Sequence, residues 1–295
     1  MKKILFLCAV ALVMAACGQQ DNKNQEQAEE KKVIIPPGIP VAPLPTSQTM
    51  EFGDFQSNPQ GPMLNIEEGK PLDLSQMMGQ RKTLAEQVTE HIDTIRYQAE
   101  QGNADYQYVY GCSFENGWGV EPDLNKAMRW YNKAADQKQK YAYIAIGNIY
   151  REGKGVKQDV AEAFKWYQKG AEAGDVQGML NVGNCYYYGM GTEKDLAQAV
   201  TWWKQAADKG NGYAMAQMGD CYYSGIGVQK DLAKAVEYLT QAVDKNVSSA
   251  QYRLGIMYYS GEGVQQDRTY SKLLMQKASD GGSREAQDFL KKNFN

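Results

Sequence analysis

A Gly-x-Gly pair recurs five times in this chain at a constant spacing of 36 residues: Gly117/Gly119, Gly153/Gly155, Gly189/Gly191, Gly225/Gly227 and Gly261/Gly263. No insertion or deletion disturbs the register. One unit repeated this strictly predicts a stacked solenoid, which presents a surface more readily than a catalytic pocket. Other columns share the period. Gly111, Gly147, Gly183, Gly219 and Gly255 form one, and three residues later stand Phe114, Tyr150, Tyr186, Tyr222 and Tyr258. After each Gly-x-Gly comes Asp123, Asp159, Asp195, Asp231 or Asp267, and four residues on Ala127, Ala163, Ala199, Ala235 or Ser271. Trp130, Trp166, Trp202, Tyr238 and Leu274 follow, then Ala134, Gly170, Ala206, Ala242 and Ala278.

Spacings of three and four are helical, so each unit reads as a helix pair. The first helix runs to the Gly-x-Gly, where glycine turns the chain. The Asp then caps the second helix by accepting from its free amides. Asp159 with Glu162, and Asp195 with Gln198, have capping-box spacing. Small residues on the second helix allow close approach, and the Tyr and Trp columns are expected to fill the space between layers. Cys185 and Cys221 share a column in adjacent repeats. Stacked helices lie roughly 8–10 Å apart, whereas a disulfide needs Cα atoms within about 7 Å. The two are therefore expected to be unbridged, small buried hydrophobes.

These columns resemble the Sel-one-like repeat family, a relative of the tetratricopeptide repeat. Tyr143 to Ala171 carries the signature: Gly147, Tyr150, Gly153-Lys154-Gly155-Val156, Asp159, Ala163, Trp166-Tyr167, Lys169 and Ala171. The resemblance implies an all-α fold, a right-handed α-solenoid of stacked antiparallel helix pairs within 81–295. Its repeats would be 103–138, 139–174, 175–210, 211–246 and 247–282. Thr83 to Gly102 reads as a lone second helix at the start. Arg284 to Phe294 reads as a closing first helix, with Ala286 and Leu290 aligned to Ala250 and Leu254. Both ends would then be capped, as solenoids require.

By analogy with tetratricopeptide arrays, the first helices line a concave face. The candidate partner-binding residues there are Asn148, Arg151, Asn181, Asn184, Tyr187, Tyr188, Tyr213, Asp220, Tyr223, Tyr252 and Tyr259. Tyrosine offers large contact area and a hydroxyl at low entropic cost, and Asn can hold a peptide backbone. The plainer reading is that these tyrosines only line the superhelix interior.

The N-terminal region has a different composition. Lys2 and Lys3 precede an apolar stretch, Ile4 to Met14, too short to span a bilayer. Met14-Ala15-Ala16-Cys17 resembles the lipobox of bacterial lipoproteins, with Met where Leu is commoner. The resemblance implies a signal peptide over 1–16 and acyl chains on Cys17. Gly18, by the lipoprotein sorting rule, implies an outer-membrane lipoprotein, periplasmic or surface-facing. Residues 17–80 lack helical periodicity. Pro36, Pro37, Pro40, Pro43 and Pro45 favour polyproline II in a tether, or a proline-rich ligand strand.

The chemistry of a catalyst is not apparent. Charge is nearly balanced, with 32 Lys+Arg against 35 Asp+Glu, and no basic stripe suggests nucleic acid. His91 is the sole histidine. It is expected within the lone helix, aligned with Ala127, and a His91–Cys112 nucleophilic pair would lack an orienting third group and an oxyanion loop. No metal-ligand spacing appears, and no cofactor is expected. The Gly-x-Gly is no phosphate loop, since it follows a helix and lacks the Lys-Ser/Thr ending. The expected function is a non-enzymatic protein-interaction scaffold, binding a protein or peptide on the concave face and held at the membrane by its acyl anchor. Alternatives are an immunity protein against a secreted toxin, or an envelope protein that contacts peptidoglycan or other glycans.

Overall fold

The computed structural model describes residues 84–294. The signal sequence, Cys17 and the tether lie outside them. The described residues are all-helical, with thirteen helices and no strand among them. They form two compact units, one ending at Ala173 and the other beginning at Gly174.

The first unit holds α1 (Leu84–Glu90), α2 (Ile92–Glu100), α3 (Ala104–Asn116), α4 (Leu124–Asp136), α5 (Lys140–Glu152) and α6 (Val160–Glu172). Within it α3 pairs with α4 and α5 with α6, while α2 leans on α3 and α4 on α5. The second unit holds α7 (Val176–Tyr188), α8 (Leu196–Asp208), α9 (Gly212–Ser224), α10 (Leu232–Asp244), α11 (Ser248–Ser260), α12 (Arg268–Asp280) and α13 (Arg284–Asn293). There α7 pairs with α8, α9 with α10 and α11 with α12, and α8, α10 and α12 each meet the next helix. Consecutive helix pairs of this kind make the fold an α-solenoid. Helices α3 to α12 are each 13 residues long.

The repeat's fixed residues account for this regularity. Each first helix ends on a left-handed glycine, such as Gly153 at φ 71° and Gly225 at φ 73°. The next amide bonds back to the last turn, as Lys154 does to the Ile149 carbonyl at 3.1 Å. This is the pattern by which a glycine satisfies a helix's last carbonyls. The second glycine is needed for another reason, its close approach to the preceding repeat. A Cβ on Gly155 would lie 3.0 Å from Leu124 Cβ, and one on Gly227 would lie 2.5 Å from the Leu196 carbonyl. The loop then closes through the Asp amide, which donates to the aromatic column's carbonyl: Asp123 to Phe114, Asp159 to Tyr150, Asp195 to Tyr186, Asp231 to Tyr222 and Asp267 to Tyr258, all at 2.9 Å.

The Asp side chains cap the second helices as expected; Asp159 accepts from the Glu162 amide and Asp195 from Ala197 and Gln198. The capping box is only half made. Its reciprocal bond needs the Asp amide, and the Tyr150 and Tyr186 carbonyls already hold it. Glu162 turns to Lys165 instead, at 2.9 Å.

Helix pairs close on the glycine column. An added Cβ on Gly111, Gly147, Gly183, Gly219 or Gly255 would meet Tyr131, Tyr167, Trp203, Leu239 or Met275 at 2.5 to 2.9 Å. Those five large residues are 0–2% exposed and fill the helix-pair interior. The Trp130 and Trp166 column stands one residue aside and is half-buried. Its rings lie against Tyr110 and Tyr143, with Lys133 and Lys169 over them at 3.9 and 3.8 Å. Ala127, Ala163, Ala199, Ala235 and Ser271 are buried as predicted, and the Ser271 hydroxyl donates to the Gly255 carbonyl at 2.7 Å. Cys185 and Cys221 are buried and share no disulfide.

The N-terminal cap departs from expectation. The lone helix is broken at His91, whose amide bonds to the Val88 carbonyl at 3.2 Å and whose side chain makes no cap bond. The break faces the Gly117–Gly119 loop: a Cβ on Gly119 would lie 3.0 Å from Ile92 Cβ and 3.1 Å from Thr89 Cα. His91 is thus half-buried at a helix junction and not part of one continuous helix.

Candidate functional site

The candidate residues fall on first helices. Two, Asn148 and Arg151, belong to the first unit; the other nine belong to the second.

In the second and third repeats the position after the buried glycine answers the large residue that glycine receives; in the first, Cys112 stands there and the Tyr131 hydroxyl finds Glu115 instead. Tyr167 donates its hydroxyl to Asn148 Oδ1 at 2.8 Å, and Trp203 donates Nε1 to Asn184 Oδ1 at 3.0 Å. A buried donor left unpaired costs about 1–3 kcal/mol, which accounts for an acceptor at that place. Leu239 offers no donor, and the equivalent residue, Asp220, binds Arg253 Nε at 2.6 Å instead. Met275 likewise has none, and Ile256 stands there. Asn184 and Asn181 are each 5% exposed, Asn181 accepting from Gln177 at 3.0 Å. Their amides are turned inward.

The position four after that glycine carries Glu115, Arg151, Tyr187, Tyr223 and Tyr259. Two of these, Glu115 and Tyr223, reach the centre of the next Gly-x-Gly. In the first unit Glu115 faces Lys154 at 3.9 Å and accepts from the Tyr131 hydroxyl at 2.5 Å. Burial pushes the Glu115 carboxyl up to about 7, the Tyr131 bond opposing it and Glu152 adding to it. Burial also lowers Lys154 to about 8. At 3.9 Å the pair lacks a hydrogen bond and does not offset desolvation of either group. Lys154 makes a shorter contact with Glu152, 3.0 Å, and Arg151 pairs with Glu152 as well.

In the second unit the Tyr223 hydroxyl donates to Glu262 at 2.8 Å, and Lys230 approaches the same carboxylate at 3.3 Å. The Tyr223 bond holds the Glu262 carboxyl below its ordinary value. Arg253 lies over the Tyr223 ring at 5.2 Å while bound to Asp220, whose carboxyl burial pushes up against the pull of Arg253. Asp220, Tyr223 and Arg253 therefore form one contiguous group. Tyr187 and Tyr188 meet edge-on at 4.7 Å, and Tyr187 also rests on Trp203 at 5.2 Å. Tyr252 and Tyr259 share Phe289 of α13, at 6.5 and 5.1 Å, and Tyr259 donates to Asn293. Tyr213 is half-buried on α9. Lys194, Lys230 and Arg268 lie over the rings of Tyr187, Tyr223 and Tyr259 at 5.6, 5.4 and 4.9 Å.

Sequence reading, which placed Glu115 in the same concave column as Tyr187, Tyr223 and Tyr259, missed Lys154, Lys230 and Glu262 as parts of these groups. Their signal was a second spacing, 39 residues, which joins Glu115 to Lys154 and Tyr223 to Glu262 across successive repeats. Among the described residues no three His, Cys, Asp or Glu side chains are grouped to hold a metal.

Comparison with known proteins gives a consistent picture. Five segments match the Sel1 repeat model: 104–138, 140–175, 176–211, 212–247 and 248–283. A protective antigen of uropathogenic Escherichia coli strains with an SLR fold is 31% identical, with a TM-score of 0.63, over 74% of this chain and 50% of that one. This chain thus spans half the length of that antigen. A Sel1 repeat protein from Oxalobacter formigenes is 29% identical, with a TM-score of 0.63, over 69% of this chain and 84% of that one. An immunity protein from Pseudomonas aeruginosa is 21% identical over 72% of this chain and 84% of that one; its TM-score of 0.46 is too low to bear on function. No curated protein matches the sequence.

Proposed function

This chain belongs to the Sel1 repeat family, whose members are generally non-catalytic protein-interaction scaffolds, and we propose that it binds a protein or peptide partner on the first-helix face of residues 174–294. The observation that carries this reading is the column Tyr187, Tyr223 and Tyr259. All three rings are half-buried, and each carries a Lys or Arg over it. Such rings are pinned by their neighbours, so little rotamer freedom remains to be lost on binding. Tyr188, Tyr213, Tyr252 and the Asp220–Arg253 pair extend the same face. Asn181 and Asn184 would contribute by holding the framework, since their amides are already bonded.

Met14-Ala15-Ala16-Cys17 supports anchoring through acyl chains on Cys17, with the scaffold displayed from the outer membrane. Each buried methylene adds about 0.8 kcal/mol, so several chains anchor firmly.

The test is recovery of partners from a cell-envelope extract by the full chain, with and without Tyr187→Ala/Tyr223→Ala/Tyr259→Ala. The triple variant should lose the partner while keeping its helical circular dichroism. Undiminished recovery would sink the first-helix proposal.

A further inference from the structure

The second helices carry a surface that the fold does not require. Lys126, Arg129 and Lys133 stand at i, i+3 and i+7 on α4 and are all exposed. With Trp130 and Asn132 they line a shallow depression. The repeat supplies an internal control, because every fold-determining column recurs at 36 residues. The positions equivalent to Lys126 are Glu162, Gln198, Lys234 and Tyr270; those of Arg129 are Lys165, Thr201, Glu237 and Leu273; those of Lys133 are Lys169, Gln205, Gln241 and Lys277. Only α4 is cationic at all three. These five helices pair with their first helices alike, so folding does not demand the triad.

Two of the cations are held in place by rings. Lys133 lies over Trp130 at 3.9 Å and Lys126 over Phe114 at 5.3 Å. Such stacking restrains long side chains that would otherwise lose freedom on binding. Carboxylates neutralise the triad only in part: Lys126 pairs with its own helix's cap, Asp123, at 3.4 Å, while among the described residues no ion pair is seen for Arg129 or Lys133. This positive patch sits on a chain whose overall charge is −3.

We propose that the α4 patch docks an acidic, extended segment of a protein partner. Residues 126 to 133 span about 10 Å along the helix. An extended strand rises about 3.3 Å per residue, so three or four partner residues cover the triad. Arg129, at the centre, presents the fork that pairs with a carboxylate through two parallel bonds. Trp130, half-buried between Arg129 and Lys133, gives the segment an apolar floor. On α6 of the same unit the equivalents are Glu162, Lys165 and Lys169, and Glu162 pairs with Lys165 at 2.9 Å, so the full cationic triad is confined to α4. That narrowness fits a peptide, whereas a membrane or nucleic acid needs a broad basic face. The surface is separate from the first-helix face and does not rest on it.

The probe is fluorescein-labelled hexaglutamate, titrated against the full chain at low salt and followed by anisotropy. Saturable binding is expected. Lys126→Glu/Arg129→Glu/Lys133→Glu should weaken it at least about tenfold, and high salt should do the same. These positions are exposed, so the thermal midpoint should hold; Arg129→Glu alone provides a milder variant with a smaller loss. The Tyr187→Ala/Tyr223→Ala/Tyr259→Ala chain should bind the peptide as wild type does, which separates this surface from the first-helix face. Equal binding by the charge-reversed and wild-type chains would overturn the proposal. So would triad-dependent binding to phosphatidylglycerol vesicles without binding to hexaglutamate. Peptide binding that emerges only after Glu51, Asp54, Glu67 and Glu68 are neutralised would overturn it too, by assigning the patch to the chain's own acidic segment.

Discussion

Tyr167 and Trp203 show how one residue choice fixes another across a helix pair. Each brings a donor into a dry interior, and Asn148 or Asn184 answers it; Leu239 brings none, and Asp220 is released to hold Arg253. Two predictions belong at this scale. The residue that leads into each first helix is left-handed: Gly102, Gly174, Gly210 and Gly282 take φ of 84° to 91°, but Lys138 and Asn246 take 63° and 58°. A side chain there strains the backbone by about 1–2 kcal/mol, less for Asn. Lys138→Gly should therefore raise stability by roughly 1 kcal/mol, and Asn246→Gly by less, in thermal melts. The second prediction concerns Glu115. The folded chain holds its proton up to about 7, against an ordinary 4.5. Protonation thus stabilises the fold fully below about 4.5, and that contribution is lost as pH rises through 7. The full shift corresponds to roughly 3 kcal/mol. Urea unfolding at several pH values should show Glu115→Gln losing less stability between pH 5 and 7.5 than wild type does. Parallel losses would refute the assignment.

At the scale of the helix and its loop, most of the architecture was legible in the sequence. The Gly-x-Gly turns, the Asp caps and the small columns lie where the 36-residue register puts them. That is because each is fixed by local backbone geometry, which residue type reports directly. What escaped depends on competition or on long reach. The capping box failed because a loop carbonyl took the Asp amide, and nothing in the local spacing reveals that rival. The lone cap helix breaks at His91 beside Gly119, whose close approach to Thr89 and Ile92 is a tertiary contact. The column that fills the helix-pair interior, one residue after Trp130, was not singled out, since Trp130 and Tyr131 are both large and only packing separates them. Gly183→Ala tests the close approach at this scale. Its Cβ would lie 2.5 Å from Trp203 Cδ1, so the ring must move, and overpacking of this kind typically costs about 1–3 kcal/mol. A melt unchanged from wild type would mean the α7–α8 pair yields freely.

For the whole molecule, the family was readable because its signature is a column pattern and survives sequence drift. The site was less so. Sequence placed Tyr187, Tyr223 and Tyr259 together by register, but it could not show that Asn184 is turned inward, or that Glu262 and Lys230 close on Tyr223 from the next repeat. Those contacts join positions 39 or fewer residues apart whose chemistry varies from repeat to repeat. In the proposed function the variable first-helix face of residues 174–294 meets the partner. A photo-crosslinking residue placed at Tyr223 tests it most directly, with the same residue at the exposed Leu273 of α12 as the reference. In cells, a partner adduct should form at position 223 and be absent at 273; an adduct at 273 with none at 223 would contradict the account.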